Sequence, residues 1–328
     1  MSGKTGMRRW APVLWLLAIV GLLGAGFTSH ELRQLLAEAV GIVTPESVLV
    51  TLPAQAAAIL LCAAALRVLG PGVSLLGCLG ARLMRDAGYN LLVFLPGLGE
   101  LIGARALALA GGRSRSAVAA TALDRIAEAS AQVPFILLAA VVLLHQLDGS
   151  PGGLAEVLSS LPAIASIVLA AIVLALAGRK LMRAREGPAG RLAAWIREEL
   201  RLVSEEFHRQ KGGFPAATGL HFLGWLLSGL QIWLAARAFG LHPGLVEALV
   251  LEAAASAGRT ILFFIPAGLA AQEAALVAAG LVFGITAPQS LALGLVLRLR
   301  DVIFGLPLLF WPALEFRHGR KAGKGSAQ

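Results

Sequence analysis

Residues 90–128 form a stretch that is apolar enough for a membrane, yet it contains a helix break and several charges. Pro96 and Gly97 make the break. The ionisable residues of the stretch include Glu100, Arg105, Asp124, Arg125 and Glu128. A charge at the bilayer centre costs about 2.5–3.5 kcal/mol on insertion scales, so it normally faces a protein interior or a wet cavity. Broken backbone at that depth is tolerated in the same surroundings. The stretch therefore predicts helices packed around a polar interior.

A second stretch, residues 260–301, resembles the first. Placing Glu100 on Glu273 without gaps aligns three further pairs: Gly111 with Gly284, Arg125 with Arg298, and Glu128 with Asp301. Upstream, FLPG at 94–97 corresponds to FIPAG at 264–268 after a shift of three residues. Coincidence is the alternative, because a chain rich in Ala and Leu matches itself easily. The agreement of rare polar positions favours an internal repeat.

The composition is that of a polytopic membrane protein. Of 328 residues, 57% are hydrophobic and only 14% are charged. The 38 glycines suit close helix packing in lipid. The net charge of +9 comes mostly from Lys and Arg in short loops and at the termini, where they indicate topology rather than nucleic-acid binding. We expect an all-α polytopic membrane protein with one integral domain, residues 1–328.

About six membrane spans are predicted, each long enough to cross a bilayer core of about 30 Å. Their ranges are 10–28, 48–69, 116–147, 157–177, 214–239 and 288–314, with an interruption near Pro134. The first run follows basic residues, and an uncleaved span is favoured over a signal peptide. The acidic connection 30–46 is predicted to be external, and both termini to be cytoplasmic.

Two helix pairs divided by prolines are predicted to be re-entrant hairpins. The first joins 74–95 to 99–110, and the second joins 246–262 to 268–284 around Pro266. The limb 99–110 is too short to cross the membrane. The first hairpin enters from the cytoplasm and the second from outside, so repeats 74–147 and 246–315 are predicted to be inverted, as in many secondary transporters.

Residues 178–211 are predicted to form an amphipathic helix on the cytoplasmic face. Nine Lys or Arg residues accompany five Glu residues there. The apolar positions at helical spacing are Leu192, Ile196, Leu200, Val203 and Phe207. The segment fits a surface helix that sets topology, and gathering of lipid headgroups is the alternative.

The helix breaks and charges define the candidate site. Helix N-termini after Pro96 and Pro266 would favour anionic groups near the membrane centre. The candidate translocation residues are Glu100, Arg105, Asp124, Arg125, Glu128, Glu252, Arg259, Gln272, Glu273, Arg298, Arg300 and Asp301. A supporting polar face on one helix consists of Arg82, Arg85, Asp86 and Asn90. The alternative is a static set of ion pairs that fixes helix registry.

Other reactive side chains show no ligand spacing. His221 is expected to hydrogen-bond between helices, and Cys62 and Cys78 to be buried small residues. We expect no metal site and no cofactor.

Several motifs together resemble a known family. They are ARLMRDAGYNLL at 81–92, PGLGELIGARAL at 96–107, HFLGWLLSGLQIWLA at 221–235, FFIPAGLAAQEAAL at 263–276 and LRLRD at 297–301. The sequence resembles the lysylphosphatidylglycerol synthase transmembrane (flippase-like) superfamily, and most of all its hopanoid-associated branch. The resemblance implies translocation of a lipid, or a part in its transport, in the bacterial inner membrane. Large members add a cytosolic domain that charges lipid with an amino acid, and that activity is not expected here.

Three functions follow as hypotheses. The first is a lipid flippase for a hopanoid or another polar or anionic lipid. The second is a non-transporting partner of lipid-modifying or lipid-biosynthesis enzymes. The third, an intramembrane enzyme, needs an acid–base pair or a metal that the scattered histidines do not indicate. We expect a membrane lipid as the ligand and no enzymatic activity.

Overall fold

The computed structural model describes residues 29–70, 72–92, 97–112, 114–148, 187–261, 268–311 and 315. Within these ranges the chain is helical and contains no strand, which confirms the all-α prediction. The helices are α1 (His30–Ile42), α2 (Pro45–Leu49), α3 (Leu52–Val68), α4 (Leu75–Leu91), α5 (Leu98–Leu109), α6 (Ser114–Asp148), α7 (Gly187–Gln210), α8 (Phe214–Ala238), α9 (Leu245–Ile261), α10 (Gly268–Val282) and α11 (Ala287–Gly305), with a 3₁₀ helix at Leu306–Phe310.

Three helical stretches are long and apolar enough to cross a membrane: Pro45–Val68, Ser116–Gln146 and Phe214–Ala238. They match three predicted spans. Much of α6 exposes apolar side chains, among them Leu137 at 61% and Val141 at 66%, as expected of a surface that contacts lipid tails. The predicted spans 10–28 and 157–177 lie outside the described residues. The predicted span 288–314 corresponds to α11 and the 3₁₀ helix, as far as the chain is described.

The prediction of an interruption near Pro134 is wrong. Helix α6 continues through this proline from Ser114 to Asp148. Pro134 lacks the N–H that would bond to the carbonyl of Ser130, so one helical hydrogen bond is lost. The helix packs against α8 and α9, and Phe135, next to the proline, lies in an apolar cluster with Val250 and Ala253 of α9. Within membranes such breaks are readily accommodated by neighbouring helices.

The predicted external connection 30–46 is itself helical. Ser29 caps α1 by accepting the Leu32 N–H, and Thr44 and Ser47 form a reciprocal capping box at α2. Helix α1 packs against α11. The connection is therefore an ordered element that lies over the second repeat.

Both predicted hairpins are present as pairs of closely packed helices, α4 with α5 and α9 with α10. Small residues permit this packing. A Cβ atom on Gly88 would lie 2.9 Å from the Cα of Gly99, and one on Gly258 would lie 2.5 Å from the carbonyl oxygen of Ala271. Gly97 precedes α5 with φ of 83°, a left-handed conformation that favours glycine. Pro96 and Pro266 lie outside the described residues.

The helices repeat in register. With the shift that aligns FLPG with FIPAG, α4 and α9 begin and end at equivalent positions, and each has 17 residues. The helices before them, α3 and α8, are followed by equivalent left-handed glycines, Gly70 and Gly240. After the hairpins come Gly111 and Gly284, both with positive φ. Each structural repeat therefore includes one helix more than the predicted ranges 74–147 and 246–315.

The two repeats, α3–α6 and α8–α11, pack reciprocally. Helix α6 contacts α9 of the other repeat, and α11 contacts α4, while α3 and α8 pack along each other. Each repeat also buries its own apolar cluster, exemplified by Leu66, Ala81 and Leu107 in the first and by Leu251 and Leu276 in the second. This exchange of contacts is expected of two units related by a two-fold axis. Their inverted orientation in the membrane stays a prediction.

The amphipathic segment 178–211 forms α7 where it is described, and it packs against α6. Charged side chains pair along its surface, with Arg201 contacting both Glu198 and Glu205. Apolar side chains remain uncovered, with Leu200 56% exposed and Phe207 39% exposed. Such a helix suits the interface between lipid headgroups and tails. Its location on the cytoplasmic face stays a prediction.

Replacing Gly88 with alanine tests the close contact within the first hairpin. We expect Gly88→Ala to lower the free energy of unfolding by about 1–3 kcal/mol, because the new methyl group meets the backbone of α5. Thermal unfolding in detergent measures the change. The matched control is Gly80→Ala on the same helix, where an added Cβ meets nothing within 4 Å. Equal melting temperatures for the two variants would contradict the observed packing.

Candidate functional site

A cavity lies between the two repeats. Five arginines and five carboxylates line it. They are Arg82, Arg85, Asp86, Glu100, Arg125, Glu128, Glu252, Arg259, Arg300 and Asp301. The lining is thus strongly polar but close to neutral in net charge, and it sits within helices whose outer surfaces are apolar.

Glu128 on α6 is the centre of the first-repeat network. Its Oε1 accepts a hydrogen bond from Arg82 Nη2 at 2.8 Å. Its Oε2 accepts bonds from Arg85 Nη2 at 2.6 Å and Arg125 Nη1 at 3.0 Å. Glu128 is 7% exposed, so these charge-assisted bonds form away from bulk water. Three guanidinium groups thereby compensate one buried carboxylate.

Asp124 lies one turn before Glu128 on the same face of α6 and joins three helices. Its Oδ2 accepts a hydrogen bond from Arg85 Nη1 at 2.8 Å, and its Oδ1 lies 2.9 Å from Nε2 of His221 on α8. The predicted interhelical hydrogen bond of His221 is confirmed. The other ring nitrogen, Nδ1, is buried and has no hydrogen-bond partner in the described part of the chain.

The four residues of the polar face predicted on α4 all line the cavity. Arg82 donates from Nε to Asp86 Oδ2 at 2.8 Å, one helical turn away. Arg85 and Asn90 line the same cavity. Tyr89 belongs to this face as well, and the guanidinium of Arg125 lies 5.8 Å from its ring centroid. The face was predicted only from its charged and amide residues, although Tyr89 stands four positions after Arg85, which is the helical spacing of neighbours.

The second repeat contributes a smaller network. Arg300 donates to Asp301 Oδ1 from Nε at 3.1 Å and from Nη2 at 2.7 Å. It also contacts the amide oxygen of Gln231 on α8. All three side chains are buried. This part of the cavity therefore also has paired charges.

The predicted central cluster is divided in the structure. Arg298 donates to Gln272 Oε1 at 2.6 Å and to Glu273 Oε1 at 3.2 Å, and these three residues are not among those that line the cavity. Because α10 packs beside α11, Arg298 meets the neighbouring helix rather than the cavity. The expectation that Glu273 and Arg298 join the central site is corrected accordingly.

Arg105 is also placed elsewhere. It is exposed and forms a bidentate pair with Glu315, with distances of 2.8 and 2.7 Å. It follows Glu100 by five residues, which is a rotation of about 140° around the helix axis. Glu100 lines the cavity, where it lies 3.9 Å from Arg125, so Arg105 must face away from it.

Uncharged residues missed in the sequence connect the two repeats. Gln132 on α6 donates from Nε2 to Thr260 Oγ1 on α9 at 3.1 Å. Both residues line the cavity. Gln132 follows Glu128 by one helical turn, so extending that charged face along α6 would have included it.

Two charged side chains of the cavity have no direct partner. Glu252 and Arg259, both on α9, make neither a hydrogen bond nor an ion pair within the described part of the chain. Glu252 is only 4% exposed. They contrast with Glu128 and Asp124, whose carboxylates are each held by several donors. The charges of the first repeat are therefore paired, whereas two charges of the second repeat have no partner among the described residues.

Removing the central carboxylate tests the first-repeat network. We expect Glu128→Gln to lower the free energy of unfolding by about 3–5 kcal/mol, because buried arginines lose their partner. Denaturant titration in detergent micelles measures the loss. The control is Glu205→Gln, whose exposed pair with Arg201 should contribute little to stability because solvent screens it. A loss for Glu128→Gln no larger than the control's would show that the network is not structural.

Comparisons with known proteins give the family. No curated protein and no solved structure matches the chain. The sequence-family model of the lysylphosphatidylglycerol synthase TM region matches residues 9–308. This range includes both repeats and every residue that lines the cavity. The chain therefore belongs to the family of the lysylphosphatidylglycerol synthase TM region, a family of membrane proteins linked to lipid handling.

Proposed function

We propose that the chain translocates a membrane lipid. The polar headgroup passes through the charged cavity between the repeats while the apolar tails remain in the bilayer. One observation carries the proposal: a polar cavity lined in part by three helices apolar enough to cross a membrane contains charged side chains that have no partner among the described residues. Charges at membrane depth usually mark substrate or ion pathways.

The accessibility of the charges supports transport over a purely structural cluster. The side chains of Arg125 and Glu100 are 41% and 31% exposed, although both take part in ion pairs. Ion pairs that served only to hold helices together would be buried and inaccessible to solvent. The partial exposure supports a wet path that a headgroup can enter.

Arg259 supports a headgroup with an anionic group. Its guanidinium lines the cavity without a partner in the described chain, and Asn90 and Thr260 provide hydrogen-bonding groups in the same lining. Arginine suits phosphate because its planar fork donates two parallel hydrogen bonds. The proposed substrate is therefore a polar or anionic lipid. A hopanoid substrate, the hopanoid-associated branch and the bacterial inner membrane rest on the family resemblance.

The reciprocal packing of the repeats supports alternating access. In many transporters two inverted repeats rock around a site near the membrane centre and expose it to each side in turn. Here α6 and α11 each contact the hairpin of the opposite repeat, so the cavity lies at a boundary between two similar units. We also propose that the chain is not an enzyme and needs no cofactor. Its proposed partner is a membrane lipid.

Replacing Arg259 tests the headgroup contact. We expect Arg259→Gln to slow lipid translocation about tenfold or more, since a hydrogen bond to a charged group contributes about 1.5–3 kcal/mol. The measurement is leaflet exchange of fluorescent phosphatidylglycerol in vesicles that contain the purified protein.

The control is Arg105→Gln, because Arg105 pairs with Glu315 outside the cavity lining. It should exchange lipid at the wild-type rate. Wild-type vesicles that exchange lipid no faster than protein-free vesicles would contradict translocation. Recovery of lipid-biosynthesis enzymes with the purified protein would then support the alternative, a non-transporting partner of those enzymes.

A further inference from the structure

Glu252 is a buried carboxylate without a compensating partner among the described residues. It lies in the middle of α9, the first limb of the second hairpin, and lines the cavity. It is 4% exposed and makes no hydrogen bond or ion pair with any described residue. Burying an isolated carboxylate is so unfavourable that such a group is normally paired or neutralised. Glu252 therefore needs either a proton or a cation that the described chain does not place in direct contact with it.

The neighbouring cations do not meet this need directly. Arg300 is paired with Asp301 and Gln231, and Arg298 is held by Glu273. Arg259 has no partner among the described residues but lies seven residues further along α9, about 10.5 Å along the helix axis. The charged groups that interact electrostatically with Glu252 are Arg259 on the same helix and Arg298, Arg300 and Asp301 on α11. Glu128 on α6 and His221 on α8 line the same cavity, and Glu273 on α10 interacts with Arg259.

We propose that Glu252 is a proton-binding site that couples lipid translocation to proton movement. This inference rests on the proposed lipid translocation. Without a headgroup, the guanidinium of Arg259 partly stabilises the ionised carboxylate. A headgroup phosphate on Arg259 cancels that stabilisation, so lipid binding and protonation of Glu252 favour each other. Because such coupling is reciprocal, an anionic lipid and a proton travel in the same direction.

The pH gradient across a vesicle tests this coupling. The probe is a trace of fluorescent phosphatidylglycerol in vesicles of phosphatidylethanolamine and phosphatidylglycerol containing the full chain. One proton per anionic lipid predicts that the leaflet ratio of the probe shifts up to about tenfold per pH unit. Glu252→Gln, which carries no titratable carboxyl, should show no dependence on the gradient.

Glu247→Gln is the matched control on the same helix. Glu247 lies in the first turn, accepts the Gly244 N–H at 2.9 Å and is not part of the cavity lining. It should respond to the gradient as the wild type does. A wild type that exchanges lipid without responding to the pH gradient overturns the proton assignment and leaves translocation standing. A response to a sodium gradient alone, or a gradient response retained by Glu252→Gln, also overturns it.

Infrared difference spectroscopy tests the proton site without lipid transport. The protein in vesicles should show the carbonyl stretch of a protonated carboxylic acid that changes with pH, and this band should be absent from Glu252→Gln. Its persistence in that variant would overturn the assignment. The band tests Glu252 even if no lipid moves, so failure of the translocation proposal and failure of the proton site give different results.

Discussion

The energetic cost of a charge inside an apolar bundle governs this structure. Arg82, Arg85, Asp124 and Glu128 are each less than 10% exposed, and none of them stands alone. Two helices present the partners at one-turn spacing, so several charge-assisted bonds form at once and offset the loss of hydration. The geometry of α4 against α6 follows from this requirement. The other residues that line the cavity surround this network of four charged side chains.

The internal repeat extends this arrangement without copying it. Helices α4 and α9 have the same length and the same glycine-mediated contact with their hairpin partners. Yet Arg82 on α4 is paired on two sides, whereas Glu252, its equivalent on α9, has no partner in the described chain. The backbones of α4 and α9 are therefore similar, but their side chains at equivalent positions differ in charge and in pairing. One half holds the cavity in shape, and we propose that the other half supplies the groups that respond to a ligand.

Much of the fold was predictable because it depends on local rules. Prolines and glycines marked the hairpins, and helical spacing placed Arg82, Arg85 and Asp86 on one face. The partner that a long side chain contacts depends on which helix packs beside it. The spacing of residues along the sequence does not show which helix that is. Arg298 was expected at the centre but pairs with Glu273 on α10, and Arg105 pairs with Glu315. Tyr89 and Gln132 carry no charge, so the spacing of charged residues does not point to them, while the cavity is also lined by neutral polar groups.

The sidedness of the two hairpins tests the central claim, which is that mirrored halves enclose a charged path. In a background with Cys62→Ala and Cys78→Ala, single cysteines are introduced by Ala110→Cys and His242→Cys, both at exposed positions next to a hairpin. An impermeant maleimide is then applied to sealed vesicles of known orientation. The account predicts that the two cysteines react from opposite sides of the membrane, with Ala110→Cys on the cytoplasmic side. Labelling of both from the same side would contradict it.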